Sequence, residues 1–250
     1  MLPLALLAVS SHAIAQRSEA KIQAEIEAKL AAELKANPPA AAPTAAEAPP
    51  RPVTPAVTPP STPAAPAPPA RVYQTVPVIL TTSMGPITIA VEVERAPLTA
   101  ANFLRYVDQK RLDGTVFYRA FTFAPNFPDV GMIQGGTQND PKRILKPVAH
   151  EPTTQTGLTH DNGAVSLAQG GPGTGTADFF IIIGDMKALD AKPGDPGFAV
   201  FGHVTQGMDL VRAIAVAPRS ATKGIGAMKG QMLEPTITIA TARRAPAPTP

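Results

Sequence analysis

The sequence predicts a mainly β fold, a closed barrel whose ends are covered by two α-helices, and three observations lead to that prediction. Eight short runs rich in β-branched residues follow one another from residue 76 onwards. Two segments with helical spacing of apolar residues lie among them, and Gly and Pro separate the runs. Many short strands with few helices are typical of a barrel.

The elements follow in a simple order along the chain. Two strands at 76–82 and 87–93 flank the turn Ser83-Met84-Gly85-Pro86 and form an opening hairpin. Residues 97–109 predict the first helix, because apolar residues recur at helical spacing around Phe103 and Pro97 suits a first helical turn. The later strands are predicted at 115–120, 132–135, 164–168, 179–183, 198–204 and 235–240, with the second helix at 208–216 before the last of them.

The predicted globular domain covers residues 71–244, because the composition changes abruptly near residue 71. All nine Phe and all three Tyr lie between Tyr73 and Phe201, and all 19 Gly follow Met84. Such residues supply a core and its turns. The chain before this point lacks both, so a single domain is expected after it.

Three different segments are expected before the domain. The apolar run 1–15 ends in Ala13-Ile14-Ala15, the small-residue pattern of a signal peptidase site, and predicts a signal peptide for export to a bacterial periplasm or beyond. An uncleaved anchor or a buried helix are the alternatives. Residues 16–36 predict a charged amphipathic helix, either a solvated spacer or a docking element.

Residues 37–70 hold 13 of the 30 Pro and no aromatic residue, so they predict a disordered Pro/Ala-rich linker with extended stretches. The tail 245–250 repeats this composition and is also expected to be disordered. The apolar run 1–15 is too short to span a bilayer comfortably. No integral membrane span is predicted in the mature chain.

Composition also excludes several classes of chemistry. The chain has no Cys, which excludes disulfide scaffolds, thiol catalysis and thiolate metal sites. Its four His are scattered, and we predict His150, His160 and His203 to be surface or loop residues, so neither a metal nor a cofactor is expected. The net charge is +3, but Lys and Arg are spread along the chain, and no nucleic-acid partner is predicted.

Three segments, in order, combine residue types that a purely structural role does not require. They are Phe117-Tyr118-Arg119, Met132-Ile133-Gln134-Gly135-Gly136, and Ser166-Leu167-Ala168-Gln169 followed by Asp178-Phe179-Phe180-Ile181. Together they resemble signatures of the cyclophilins, the cyclosporin-binding class of peptidyl-prolyl cis-trans isomerases, and the resemblance extends over residues 76–240. It implies an eight-stranded antiparallel barrel capped by two helices, with a shallow apolar groove on its outside for Pro-containing segments of unfolded or flexible polypeptides.

The resemblance also implies roles for individual residues. Arg119 and Gln134 are the expected catalytic residues, and Gln134 orients Arg119 or the substrate carbonyl. The expected substrate-binding residues are Met132, Phe180 and Leu189 in the pocket, Phe198 beside it, and Ala168 and Gln169 through their backbone. The alternatives are an ion-paired surface Arg119, a turn role for Gln134 and ordinary core roles for Met132, Phe180 and Leu189.

These residue types suit rotation about an X-Pro bond. Amide resonance imposes a barrier of about 18–20 kcal/mol, and no covalent bond has to form or break to lower it. An Arg N–H placed beside the prolyl nitrogen can donate to the lone pair that localises in the twisted state. A charge-assisted hydrogen bond of this kind contributes roughly 1.5–3 kcal/mol, and selective binding of the twisted form must supply the rest.

The sequence departs from the family at several pocket positions. Gly131 stands where a pocket Phe is usual, and an insertion of about seven residues before Gln134 offers Phe123 or Phe127 as a replacement ring. Ala188 stands where Trp is frequent, so weak cyclosporin binding is expected. Phe198 occupies a frequent His position, and Asp178 replaces a family Gln.

The prediction is therefore an isomerase that accelerates X-Pro rotation in exported polypeptides and assists their folding. One alternative is a catalytically weak module that binds Pro-containing segments. Another is that the linker 37–70 binds in the groove of its own domain.

Overall fold

Residues 71–123 and 127–246 are described by the computed structural model of the chain, and every structural statement below refers to them. The predicted signal peptide 1–15, the helix 16–36 and the linker 37–70 lie outside these residues, as does the end of the tail from residue 247. Between residues 71 and 246, apart from 124–126, no helix is both long and apolar enough to cross a bilayer.

The described residues form eight strands that close into one antiparallel barrel, as predicted. In chain order they are β1 (Val76–Thr82), β2 (Gly85–Val91), β3 (Thr115–Phe123), β4 (Phe127–Gly136), β5 (Ala164–Leu167), β6 (Phe179–Ile183), β7 (Ala199–Gln206) and β8 (Met232–Arg244). Around the barrel the order is β1-β2-β7-β5-β6-β4-β3-β8, and β8 pairs with β1 to complete the circle. Closure leaves no unpaired sheet edge.

Two helices pack on the barrel at the predicted places. Helix α1 (Pro97–Asp108) and helix α3 (Met208–Ala215) each end one residue before the predicted boundary. Between them lies α2 (Thr153–Thr156), a single turn that the sequence analysis did not predict. Such a short segment carries no detectable helical periodicity.

The insertion before Gln134 lengthens a hairpin. Strands β3 and β4 extend beyond the predicted 115–120 and 132–135, and their pairing reaches Phe123 opposite Phe127. Pairing the two arms of the insertion with each other satisfies backbone N–H and C=O groups that would otherwise need other partners. The paired arms of the insertion therefore continue the β3–β4 hairpin beyond Arg119.

The barrel interior is filled with aromatic and aliphatic side chains. The ring centroids of Phe103 on α1 and Phe179 on β6 lie 5.6 Å apart, and that of Phe201 on β7 lies 4.9 Å from Phe103. Phe117 on β3 packs edge-on against Phe179 at 5.9 Å. Side chains that alternate with these along the strands point out of the barrel, and the candidate site lies on that outer surface.

Candidate active site

A bulge in β3 places Arg119 on the outer surface. Phe117 pairs with Gly135, but Arg119 pairs with Gln134, so two steps along β3 correspond to one step along β4. In a regular strand, residues two apart share a face, and Arg119 would then point into the core with Phe117. The extra residue, Tyr118, turns Arg119 to the opposite face.

Cross-strand register brings the predicted site residues together. Arg119 lies opposite Gln134, and Gln134 lies opposite Phe180 on β6. Met132 is two residues from Gln134 along β4 and therefore shares its face. The sequence motifs, far apart along the chain, thus meet on three neighbouring strands of the barrel.

Two glutamine side chains hold the Arg119 guanidinium. Its Nη1 donates to Gln134 Oε1 at 2.7 Å, as the predicted orienting role requires. Its Nε and Nη2 both donate to Gln231 Oε1, at 2.8 and 2.6 Å. Only 2% of Arg119 is exposed. Hydrogen bonds from the protein therefore replace the water molecules that would otherwise solvate its charge. The alternative of an ion-paired arginine on the surface is wrong about the surface, because the side chain is buried.

A chain of hydrogen bonds fixes the orientation of the Gln134 amide. Gln134 Nε2 donates to the Tyr118 hydroxyl at 2.7 Å, and that hydroxyl donates to Asp178 Oδ2 at 3.1 Å. An ionised carboxylate only accepts, so Tyr118 donates to Asp178 and accepts from the Gln134 NH₂ group. The Gln134 carbonyl oxygen is therefore turned toward Arg119.

The carboxylate of Asp178 is itself anchored. Its Oδ1 accepts from the backbone N–H of Gln138 at 2.9 Å and lies 3.4 Å from the Thr137 hydroxyl. Asp178 stands where the family usually has Gln, and the structure shows what the carboxylate does here. It ends the chain of donors that begins at Arg119.

Sequence analysis did not identify Tyr118, Asp178 or Gln231 as members of this cluster. Tyr118 and Asp178 lie within the motifs that carry Arg119 and Phe180, so their positions next to these residues could have identified them as neighbours of the site. No local pattern marks Gln231, which precedes β8 and is 112 residues from Arg119 along the chain.

A phenylalanine of the lengthened hairpin approaches the guanidinium. The Arg119 Cζ atom lies 5.0 Å from the ring centroid of Phe121, and Phe123 packs edge-on against Phe121 at 5.4 Å. The ring beside the arginine thus comes from Phe121, whereas the sequence analysis named Phe123 or Phe127. Of these, Phe127 has a side chain outside the described set.

Close backbone contact explains the glycine at the position of the usual pocket Phe. A Cβ atom on Gly131 would lie 2.2 Å from the Phe121 carbonyl oxygen and 2.8 Å from Thr122 Cα. No side chain fits there without moving the hairpin. Gly131 and the lengthened hairpin are therefore coupled departures from the family pattern.

The predicted apolar site residues are buried or half-buried side chains of the barrel surface and the turn that follows β6. Met132, Phe180 and Leu189 are only 2%, 4% and 2% exposed. Phe198 is half-buried and packs edge-on against Phe180, with ring centroids 5.4 Å apart. Leu189 belongs to the 3-10 turn Lys187–Leu189, and its carbonyl accepts from the Phe198 N–H at 3.0 Å.

Ala168 and Gln169 follow the end of β5 and are half-buried. The Ala168 N–H already donates to the Asp178 carbonyl at 2.8 Å, so this donor serves the barrel rather than a bound peptide. The Gln169 side-chain nitrogen lies 2.9 Å from His150 Nδ1. Their pairing with a peptide stays a prediction.

His160 lies in a loop, as one branch of its prediction as a surface or loop residue states, but it is fully buried and not at the surface. Its Nδ1 lies 2.7 Å from Asp190 Oδ1, and its Nε2 lies 3.1 Å from the Ser166 hydroxyl. Burial lowers the pKa of His160 below its ordinary value, although Asp190 opposes this shift. His203, by contrast, is exposed on β7.

Among the described residues, no group of three or more His, Asp and Glu side chains is arranged to hold a metal ion.

The chain is similar to known peptidyl-prolyl cis-trans isomerases. The family model of the cyclophilin type peptidyl-prolyl cis-trans isomerase/CLD matches residues 77–243. A peptidyl-prolyl cis-trans isomerase of Acinetobacter baylyi is 38% identical over 143 residues, which cover 56% of this chain and 71% of that protein. One from Streptomyces antibioticus is 37% identical over 152 residues, covering 58% of this chain and 86% of that protein.

A solved structure supports the same fold. The cyclophilin type peptidyl-prolyl cis-trans isomerase of Cryptosporidium parvum superposes with a TM-score of 0.53 at 18% sequence identity, covering 70% of this chain and 99% of that one. The barrel, the match over residues 77–243 and the bacterial relatives agree: the chain belongs to the family of cyclophilin-type peptidyl-prolyl cis-trans isomerases.

Proposed function

We propose that this isomerase acts on X-Pro bonds in unfolded or flexible polypeptides outside the cytoplasm, assists their folding, and uses Arg119 to stabilise the twisted imide. One observation supports the role of Arg119: its guanidinium nitrogens donate hydrogen bonds of 2.6 to 2.8 Å to the side-chain oxygens of Gln134 and Gln231. Arg119 is then positioned before a substrate arrives.

The orientation of the Arg119 donors before the substrate binds matters, because the reaction requires no covalent bond to form or break. In the twisted state the prolyl nitrogen regains its lone pair and becomes a better acceptor, so an N–H donor stabilises this state more than the planar one. Burial strengthens the interaction, since fewer water molecules compete for the donor. A donor worth roughly 1.5–3 kcal/mol in the twisted state corresponds to about one to two decades of rate.

The surroundings of Arg119 suit a proline ring. Phe180, the cross-strand partner of Gln134, packs edge-on against Phe198. In this proposal the ring rests on these aromatic side chains while the chain on its other side rotates. Ala188 lies buried in the 3-10 turn and offers no indole, so we expect weak cyclosporin binding.

The test is the Arg119→Ala variant of the full chain, measured with a short Pro peptide in a coupled isomerisation assay. We expect kcat/KM to fall at least tenfold while the barrel stays folded by circular dichroism. Arg219→Ala is the matched control, since Arg219 is an exposed arginine that donates to the neighbouring Ala120 carbonyl at 3.3 Å. An unchanged rate in Arg119→Ala removes Arg119 from the mechanism.

The same assay separates catalysis from binding alone. Wild-type protein that binds the peptide without accelerating its isomerisation favours the alternative of a binding module. Export is tested separately by mass spectrometry of the extracytoplasmic protein, for which the motif Ala13-Ile14-Ala15 predicts a mature chain beginning at Gln16. An intact N-terminus at Met1 contradicts cleavage at this motif.

A further inference from the structure

We propose that Gln231 is a positioning residue for the reaction, because it fixes the Arg119 edge that Gln134 does not reach. This inference rests on the proposed role of Arg119. Gln134 accepts from Nη1 alone, whereas Gln231 accepts from both Nε and Nη2 through a single oxygen.

Two acceptors, the side-chain oxygens of Gln134 and Gln231, orient the guanidinium more completely than one acceptor can. A guanidinium is planar and carries five N–H donors in a fixed fork. The hydrogen bond from Nη1 to Gln134 restrains one side of this fork, and the bonds from Nε and Nη2 to Gln231 restrain another. Together the two acceptors limit rotation of the guanidinium plane more than either does alone, so the donors keep their direction before and during bond rotation.

The backbone around Gln231 is built to deliver this side chain. The Gln231 carbonyl accepts from the Ala120 N–H at 2.9 Å, and the next residue, Met232, pairs with Arg119 in the β3–β8 register. Gly230 has a left-handed backbone with a φ of 83°, a conformation that favours glycine. The chain therefore turns just before Gln231 and brings its side chain beside Arg119.

A neutral amide suits this role better than a carboxylate. A carboxylate at the same place would bind the guanidinium as an ion pair and cancel much of the charge that attracts the prolyl lone pair. The amide oxygen orients the group and adds no net negative charge. Gln134 and Gln231 share this property on the two edges of the guanidinium.

The experiment measures kcat and KM for a Pro peptide in the full chain with Gln231→Ala and Gln231→Glu. We expect Gln231→Ala to lower kcat about three- to tenfold with KM within twofold of wild type, since orientation rather than binding is lost. Gln231→Glu, which is nearly isosteric, should lower kcat about tenfold. Gln206→Ala, on the exposed end of β7, is the matched control and should leave both constants unchanged.

A double-mutant cycle shows whether Gln231 acts through Arg119. In an Arg119→Ala background, Gln231→Ala should change the residual rate by less than twofold. The ¹⁵Nε–H signal of Arg119 should also broaden or shift in Gln231→Ala, a change that a role in loop stability alone does not produce.

Three results overturn the proposal: a wild-type kcat in Gln231→Ala, a wild-type kcat in Gln231→Glu, or an undiminished effect of Gln231→Ala without Arg119. Should Gln231→Ala fail to fold, Gln231→Glu carries the test. Failure of the proposed function is distinguishable, because it appears as an inactive wild type or an unaffected Arg119→Ala variant in the same measurements.

Discussion

Two polar clusters flank Phe180, and they resemble each other in form while differing in what they can do. On one side Gln134, the cross-strand partner of Phe180, belongs to the arginine cluster of Asp178, Tyr118, Gln134, Arg119 and Gln231. On the other side the ring of His160 stacks on Phe180 at 6.2 Å and belongs to the histidine cluster of Ser166, His160 and Asp190.

The histidine cluster has the order of a nucleophilic relay, with a hydroxyl, an imidazole and a carboxylate in sequence. Yet Ser166 and His160 are both fully buried, so no substrate carbonyl reaches the hydroxyl. The cluster instead ties the turn after β6 to the barrel, since Asp190 also accepts from the His160 backbone N–H at 2.9 Å. Its hydrogen bonds stabilise structure.

The arginine cluster differs in how it ends. Tyr118, Gln134 and Gln231 are half-buried, and the chain of donors begins at a permanently charged guanidinium. The comparison teaches that hydrogen-bond order alone does not identify a catalytic cluster. Arg119 itself is only 2% exposed, and what distinguishes its cluster is a permanently charged donor whose partners Gln134 and Gln231 are half-buried.

The largest effect that sharpens this comparison is expected from His160→Leu. The change leaves Ser166 and Asp190 without their imidazole partner, so we expect the free energy of unfolding to fall by about 2–4 kcal/mol. The isomerisation rate per folded molecule should stay within about threefold of wild type. Urea denaturation measures the first quantity and the peptide assay the second.

The matched control is His203→Leu, because His203 is exposed on β7. It should change stability by less than about 0.5 kcal/mol. A stable His160→Leu protein with abolished catalysis would break the comparison, since it would assign the histidine cluster to the reaction.

A smaller effect is expected from pH. Burial holds the pKa of His160 below its ordinary value in the folded protein, so the unfolded chain binds more protons below about pH 6.5. The free energy of unfolding should therefore decrease as the pH falls from 7 to 5, by at most about 1.4 kcal/mol per pH unit for one proton.

His160→Gln should lose this slope, whereas His203→Gln should keep it. The guanidinium of Arg119 stays charged throughout this range, so kcat of the folded enzyme should be flat between pH 5.5 and 7. Urea titrations at several pH values test the first statement. Equal slopes in wild type and His160→Gln would show that burial of His160 is not their cause.

The smallest effect is expected from Asp178→Asn, with kcat falling about three- to tenfold and little change in melting temperature. The backbone N–H of Gln138 can only donate, so it keeps the Asn carbonyl oxygen and leaves the NH₂ group facing Tyr118. Tyr118 would then donate to Gln134, whose amide would turn its own NH₂ group toward Arg119.

In a Tyr118→Phe background this transmission is absent, so Asp178→Asn should have almost no further effect on kcat. Full additivity of the two changes would mean that Asp178 influences catalysis by another route.

Several features were predictable from sequence because their signals are local. Short runs rich in β-branched residues, separated by Gly and Pro, predicted all eight strands, and the spacing around Phe103 predicted α1. The motif residues Arg119, Gln134, Met132 and Phe180 do meet on one surface of the barrel. The burial of His160 was not predicted, because a histidine in a loop gives no local sign of the turn that will cover it.

By itself the sequence determined the strand order along the chain, the family and the chemical groups available to the site, since these depend on residue type and short-range spacing. Only the tertiary structure decided which face of β3 carries Arg119 and which partner holds its second edge. The face depends on a one-residue bulge, and the partner comes from 112 residues away once the barrel has closed. Neither leaves a local pattern, because both follow from the register between strands that are distant along the chain.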